Sequence, residues 1–90
     1  MMIEIRWEES FTKKVKKIIK SDPSFKYRLT EKIKLFAKNQ FDPMLRTHKL
    51  KGKLKNYWAF SVDYDYRILF RFNEDSSINL INIGDHDEVY

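Results

Sequence analysis

Apolar and polar residues alternate at the start of the chain, with Ile3, Ile5 and Trp7 set against Glu4 and Arg6. A period of two predicts a short strand over residues 2–7. The period then changes. Phe11, Val15, Ile18 and Ile19 fall on one helical stripe, and Lys13, Lys14, Lys16, Lys17 and Lys20 occupy the rest of the surface. Glu8-Glu9-Ser10 places acids where a helix N-terminus favours them. Ser21-Asp22-Pro23 marks a break and a restart, with Asp22 suited to the N-cap and Pro23 to the first helical position. A second stripe, Phe25, Leu29, Ile33 and Phe36, carries a helix to about Asn39. The short connection predicts an antiparallel helical hairpin.

Residues 40–56, with Asp42-Pro43 and Gly52, predict a loop. Three strands follow over 57–63, 66–73 and 77–83, joined by short polar turns into a meander. On the middle strand Tyr66, Ile68, Phe70 and Phe72 point one way, and Arg67, Leu69 and Arg71 the other. The element order is β-α-α-β-β-β. It predicts one α+β domain over 1–90, a mostly antiparallel four-stranded sheet covered on one face by the hairpin. The arginine face is expected to stay partly open.

Composition narrows the class. Ninety residues with 42% hydrophobic and 16% aromatic content make a small folded domain rather than a disordered tail. With no cysteine there is no disulfide framework and no thiolate metal site, as suits a reducing cytosol. The N-terminus lacks the layout of a secretion signal and no apolar run is long enough to span a bilayer, so a cytoplasmic protein is expected. Charge is unevenly spread. Residues 1–55 carry 16 Lys/Arg against 6 Asp/Glu, and residues 56–90 carry 2 against 7. A basic half on a small domain points to a polyanion or an acidic protein partner.

Candidate chemistry collects at two places. The chain ends Gly84-Asp85-His86-Asp87-Glu88-Val89-Tyr90, an imidazole and a phenol on what reads as a flexible, exposed end. An unperturbed imidazole titrates close to neutral pH. Upstream lie His48, the lysines Lys49, Lys51, Lys53 and Lys55, and the two strand arginines Arg67 and Arg71. Together they read as an acid/base group beside a phosphate cradle. The two histidines lie 38 positions apart and no His-Glu pair has ligand spacing, so no metal site is expected. Two glycines in all exclude a glycine-rich nucleotide loop, and no cofactor is expected.

The His48-Lys49-Leu50-Lys51-Gly52 loop, the Tyr66-Arg67-Ile68-Leu69-Phe70 strand and the closing Gly84-x-His86-x-x-Val89-Tyr90, in this order of elements, resemble the RelE/ParE toxin superfamily of type II toxin–antitoxin systems. The likeness covers the whole chain and is greatest to the YafQ-like and RelE branches. It implies a ribosome-dependent endoribonuclease that cuts mRNA in the ribosomal A site without a metal, by attack of a ribose 2′-OH on the neighbouring phosphate. It also implies a cognate antitoxin.

By this resemblance His48, Asp65 and His86 fall on the histidine, aspartate and terminal histidine of the YafQ-like site, and Tyr66 stands where that branch has tryptophan. Tyr90 takes the place of its last aromatic, and Arg67 that of the phosphate-holding strand arginine of RelE. Two departures stand out. Trp58 and Phe60 occupy the places of two RelE lysines, and Ser61 replaces a second strand histidine.

His86 is the expected acid/base, and His48 a second proton carrier or a phosphate donor. Asp65 either orients an imidazole or serves the turn. Arg67 either grips phosphate bidentately or pairs with Asp63 or Asp65. Tyr90 would stack on a base or donate to a phosphate, and the loop lysines would engage phosphates without reading sequence. The same architecture also suits a ParE-like inhibitor of DNA gyrase or a general RNA-binding module. The paired imidazoles favour the nuclease.

Overall fold

The computed structural model describes residues 3–89, with backbone alone at 87 and 88. The elements run β1 (Ile5–Trp7), α1 (Glu9–Ser21), α2 (Phe25–Lys38), β2 (His48–Lys49), β3 (Trp58–Ser61), β4 (Arg67–Phe72), β5 (Ile78–Gly84) and α3 (His86–Val89). Single 3-10 turns at Pro43–Leu45 and Gly52–Leu54 interrupt the connection from α2 to β3.

Both long helices bury the stripes that their spacing predicts. Phe11 and Val15 of α1 are buried, as are Phe25, Leu29, Phe36 and Ala37 of α2. The restart between them differs from expectation. The Phe25 N–H bonds to the Asp22 carbonyl at 3.0 Å, and the helix proper begins after a turn over Asp22-Pro23-Ser24. The Asp22 carboxylate does not cap the helix. It accepts from the Ser24 hydroxyl and from Arg28, which pulls it away from the helix N–H groups.

The sheet order is β1-β5-β4-β3-β2. β1 pairs parallel with β5, Ile5 opposite Ile78 and Trp7 opposite Leu80, and all other pairs are antiparallel. The sheet therefore has five strands rather than four. The extra one is the two-residue edge strand β2, where His48 faces Ala59 and Lys49 faces Trp58. Two residues are too few to show an alternating pattern, so this stretch reads as loop.

Between the helices and the sheet, Phe60, Ile68, Phe70, Ile78, Leu80 and Ile83 form the floor of the main core. Phe36 fixes the helix layer to that floor. Its ring stacks on Phe60 at 4.1 Å and meets Phe70 edge-on at 4.8 Å. A bulge keeps β5 in phase. Leu69 faces Asn82 but Phe70 faces Leu80, so Ile81 is the extra residue. Strict alternation from Ile78 and Leu80 would turn Ile83 away from the helices. The bulge returns it to the main core and puts Ile81 on the other face.

That second face is not left open. Leu50, Ala59, Leu69 and Val89 are buried there, with Leu54, Tyr57 and Ile81 packed around them. Leu69 stands between the two arginines and would otherwise meet water. The connection before β3 and the C-terminal turn cover it. The chain end is thus not a loose tail through Val89: that side chain is 4% exposed, and its N–H bonds to the Asp85 carbonyl at 3.1 Å.

Candidate functional site

Antiparallel register places the candidate residues. Ser61 of β3, Arg67 of β4 and Gly84 of β5 stand side by side at one end of the sheet. One row further in are His48, Ala59, Leu69 and Asn82. Residues paired across strands share a face. Arg67 and His48 therefore both project to the face that carries the second core. His86 opens α3 two residues beyond Gly84, and α3 packs on this same face through Val89.

His48 on β2 and His86 at the start of α3 thus stand at the same end of the sheet as Arg67. They do not sit side by side: β2 and the end of β5 are three strand spacings apart, roughly 14 Å backbone to backbone. The His48 Nδ1 lies 2.9 Å from the Arg46 carbonyl oxygen, which fixes the ring against the loop backbone. Both histidines are exposed.

Arg67 is half-buried, and no described residue accepts a hydrogen bond from its guanidinium or pairs with it. The ion pair with Asp63 or Asp65 is not formed. Asp63 is engaged elsewhere. Its Oδ1 accepts from the backbone N–H groups of Asp65 and Tyr66, at 2.9 and 2.8 Å, and its Oδ2 takes Arg28 Nε at 2.9 Å. Asp63 is therefore the carboxylate that shapes the turn. Asp65 is exposed, and among the described residues its carboxylate has no partner.

Arg71 is not part of this constellation. It lies four residues along β4, about 13 Å from Arg67, and its Nε donates to Asn73 Oδ1 at 3.3 Å. Lys49, Lys51, Lys53 and Lys55 are all exposed. The loop that presents them is held by Leu50 and Leu54 in the second core and by Gly52, whose φ of +65° suits glycine. Tyr90 lies outside the described residues.

The places of the two RelE lysines acquire a physical reading. Phe60 is fully buried and Trp58 packs beside it, both on the helix-covered face. Lysines there would be buried among aromatic rings, so these two positions present no cation on the face that carries Arg67. Ser61, by contrast, faces the site.

Sequence reasoning missed part of the surroundings. A cleft of about 270 Å³ opens beside Arg67, lined by Lys32, Met44, Arg46, Ser61, Val62, Asp63, Tyr64 and Arg67. Arg46 closes the 3-10 turn before β2 in a left-handed conformation, a placement that carries no periodic signal. Lys32 carries no signal, being one of many lysines on a polar helix face. Among the described residues no group of three His, Cys, Asp or Glu side chains converges to hold a metal.

Known proteins agree with this architecture. Residues 3–90 match the model of the bacterial toxin of type II toxin–antitoxin systems, YafQ. YafQ from E. coli superimposes with a TM-score of 0.78 at 17% identity, over 98% of each chain. The E. coli DinJ–YafQ toxin–antitoxin complex gives 0.77 at 17% identity, covering 100% of this chain and 99% of that one. A copper-bound mutant toxin from Helicobacter pylori gives 0.74 at 25% identity, covering 99% of this chain and all of its own. No curated protein sequence matches the chain. With the family model spanning nearly its full length, the chain belongs to the YafQ family of type II toxins in the RelE/ParE superfamily.

Proposed function

We propose that this toxin is a ribosome-dependent endoribonuclease that cuts mRNA in the ribosomal A site through side-chain acid/base chemistry, with no metal in the step. The observation that carries the reading is Arg67. It is a half-buried guanidinium without a carboxylate partner among the described residues, and His48 and His86 stand at the same end of the sheet. An unpaired arginine of this kind suits bidentate capture of a phosphate.

In the step, a base removes the ribose 2′ proton and the 2′ oxygen attacks phosphorus. The bond from phosphorus to the 5′ oxygen breaks, and an acid protonates that oxygen. The products are a 2′,3′-cyclic phosphate and a 5′-hydroxyl. His86 serves as one proton carrier and His48 as the second, or as a phosphate donor. Asp65, whose carboxylate the fold does not use, orients an imidazole or accepts the proton. Arg67 offsets charge on the phosphorane. Tyr90 stacks on a base, and Lys49, Lys51, Lys53 and Lys55 hold flanking phosphates. Arg71 takes no part.

The reading places the protein in the cytoplasm. No described helix is long and apolar enough to cross a membrane. A cognate antitoxin is the expected partner, as DinJ is for E. coli YafQ. A net charge of +5 with exposed Trp7, Phe41 and Met44 suits an acidic amphipathic segment.

Induction in cells followed by mapping of transcript ends tests the reaction. The parent should cut inside translated codons and His86→Ala should not, with cleavage lowered about 10²–10⁴-fold and the fold intact. If His86→Ala arrests growth as the parent does, the proton-transfer assignment is wrong. Trapped gyrase–DNA complexes with intact mRNA would move the protein to the gyrase-directed reading instead.

A further inference from the structure

The side chains of Arg46, Lys32 and Tyr64 line one cleft with Arg67 and, among the described residues, make no hydrogen bond, ion pair or ring contact that holds the fold. The cleft they line with Ser61 and Asp63 is about 270 Å³. Its three cations are Lys32, Arg46 and Arg67, and none has a hydrogen-bonded or ion-paired side-chain partner among the described residues. Its one carboxylate, Asp63, is already matched by Arg28 at 2.9 Å and by two backbone N–H groups. The cleft therefore carries net positive charge, and cations lining one concave surface attract an anion.

Arg46 closes the 3-10 turn over Pro43–Leu45 in a left-handed conformation, φ +52° and ψ +39°, with its N–H on the Pro43 carbonyl. At the lip stands Tyr64, 93% exposed. Neither core cluster includes it, and it makes no ring contact or hydrogen bond among the described residues. A bare aromatic ring above unpaired cations is the layout of a single-stranded nucleic-acid site, with a stacking face for the base and cations for the phosphate.

We propose that this cleft is a nucleotide subsite next to the scissile phosphate. In it Arg46 and Lys32 hold the neighbouring phosphodiester of single-stranded RNA and Tyr64 stacks on its base. The inference rests on the ribonuclease reading and extends it. The RNA strand crosses the end of the sheet from His86 and Gly84, over Arg67, to Ser61 and Arg46. The track ends at Lys32. The adjoining cleft carries Glu31, and its arginine, Arg28, is tied to Asp22 and Asp63.

The test uses the full chain with His86→Ala to silence cleavage, and a fluorescein-labelled single-stranded RNA dodecamer read by anisotropy from 50 to 200 mM salt. In that background Arg46→Asn removes the charge while keeping a residue at ease in the left-handed region. It should weaken binding about tenfold and lower the slope of log affinity against log salt by about 0.7, one single-strand phosphate contact. Tyr64→Ala should weaken binding at least fivefold, leave the salt slope unchanged and be rescued by Tyr64→Phe. With His86 restored, Tyr64→Ala should also change which base is preferred beside the cut.

Parental affinity and slope in both variants would overturn the subsite, as would a parent that fails to bind the RNA at 50 mM salt. Unchanged RNA binding with lost antitoxin capture would assign the cleft to a protein partner and overturn the proposal as well. None of these results depends on whether His86→Ala stops cleavage, so the two readings fail separately.

Discussion

Asp63 and Asp65 stand two positions apart in one turn and differ in what the fold asks of them. The first accepts three hydrogen bonds, two from backbone N–H groups and one from Arg28, and holds the turn closed. The second offers the turn only its backbone N–H. A carboxylate that the fold does not use is the better candidate for chemistry. Asp75 repeats the structural role at the next hairpin, where the Ser77 hydroxyl, the Ser77 N–H and Arg6 hold it well below the usual carboxylate range, at about 2 against 3.8. The folded state thus prefers the ionised form. The stabilisation is present above pH 3.8 and is lost as the pH falls to about 2. Asp75→Asn should therefore lower the urea midpoint at pH 7, and the gap to the parent should shrink markedly by pH 2, as the pH falls through the folded-state value. A gap of equal size at both pH values would show that the carboxylate charge contributes nothing.

At the scale of elements, the four residues of α3 matter because they carry His86 and end in a buried valine. Val89 seals the second core against Leu50, Ala59 and Leu69. Removing its two methyl groups in Val89→Ala should cost about 1–2 kcal/mol, and because it loosens the turn that positions His86, cleavage should fall further than the folded fraction does. Equal losses in activity and stability would mean that α3 does not position the imidazole. Long periodic elements were legible in the sequence: both helices and the strands β3 and β4 follow their apolar spacing, and β5 follows it up to its bulge. Three things were not, each for a physical reason. β2 is too short to alternate. The β5 bulge depends on cross-strand register, which one strand's sequence does not contain. The cover over Leu69 is built from scattered residues, Leu50, Leu54, Tyr57 and Val89, which share no period. The site divides in the same way. Arg67 was marked by strand parity and His86 by its residue type. Arg46, Lys32 and Tyr64 were hidden by the absence of any local pattern.

For the whole molecule, the sheet is a shared wall. The main core lies on one face and the small second core on the other, and Phe70 and Leu69 are neighbours on β4 that point into opposite cores. Among the described residues the second core buries only Leu50, Ala59, Leu69 and Val89, too few to be stable unless the main core holds the strands in register. The site therefore inherits its order from packing on the far side of the sheet. Phe36 is the main contact to test, because its ring lies against both Phe60 and Phe70. Phe36→Ala should cost about 3–5 kcal/mol, a large part of the 5–15 kcal/mol typical of a domain. The loss should be global. Trp58 packs against the main core and α1 and α2 dominate the far-ultraviolet dichroism, so fluorescence and dichroism should report one coincident transition shifted to lower urea. The amide proton of Leu50, which bonds to the Tyr57 carbonyl beside the second core, should exchange with the same reduced free energy as that of Phe70. If Leu50 instead kept its parental protection in Phe36→Ala, the second core would be self-supporting, and the site would not depend on the helices across the sheet.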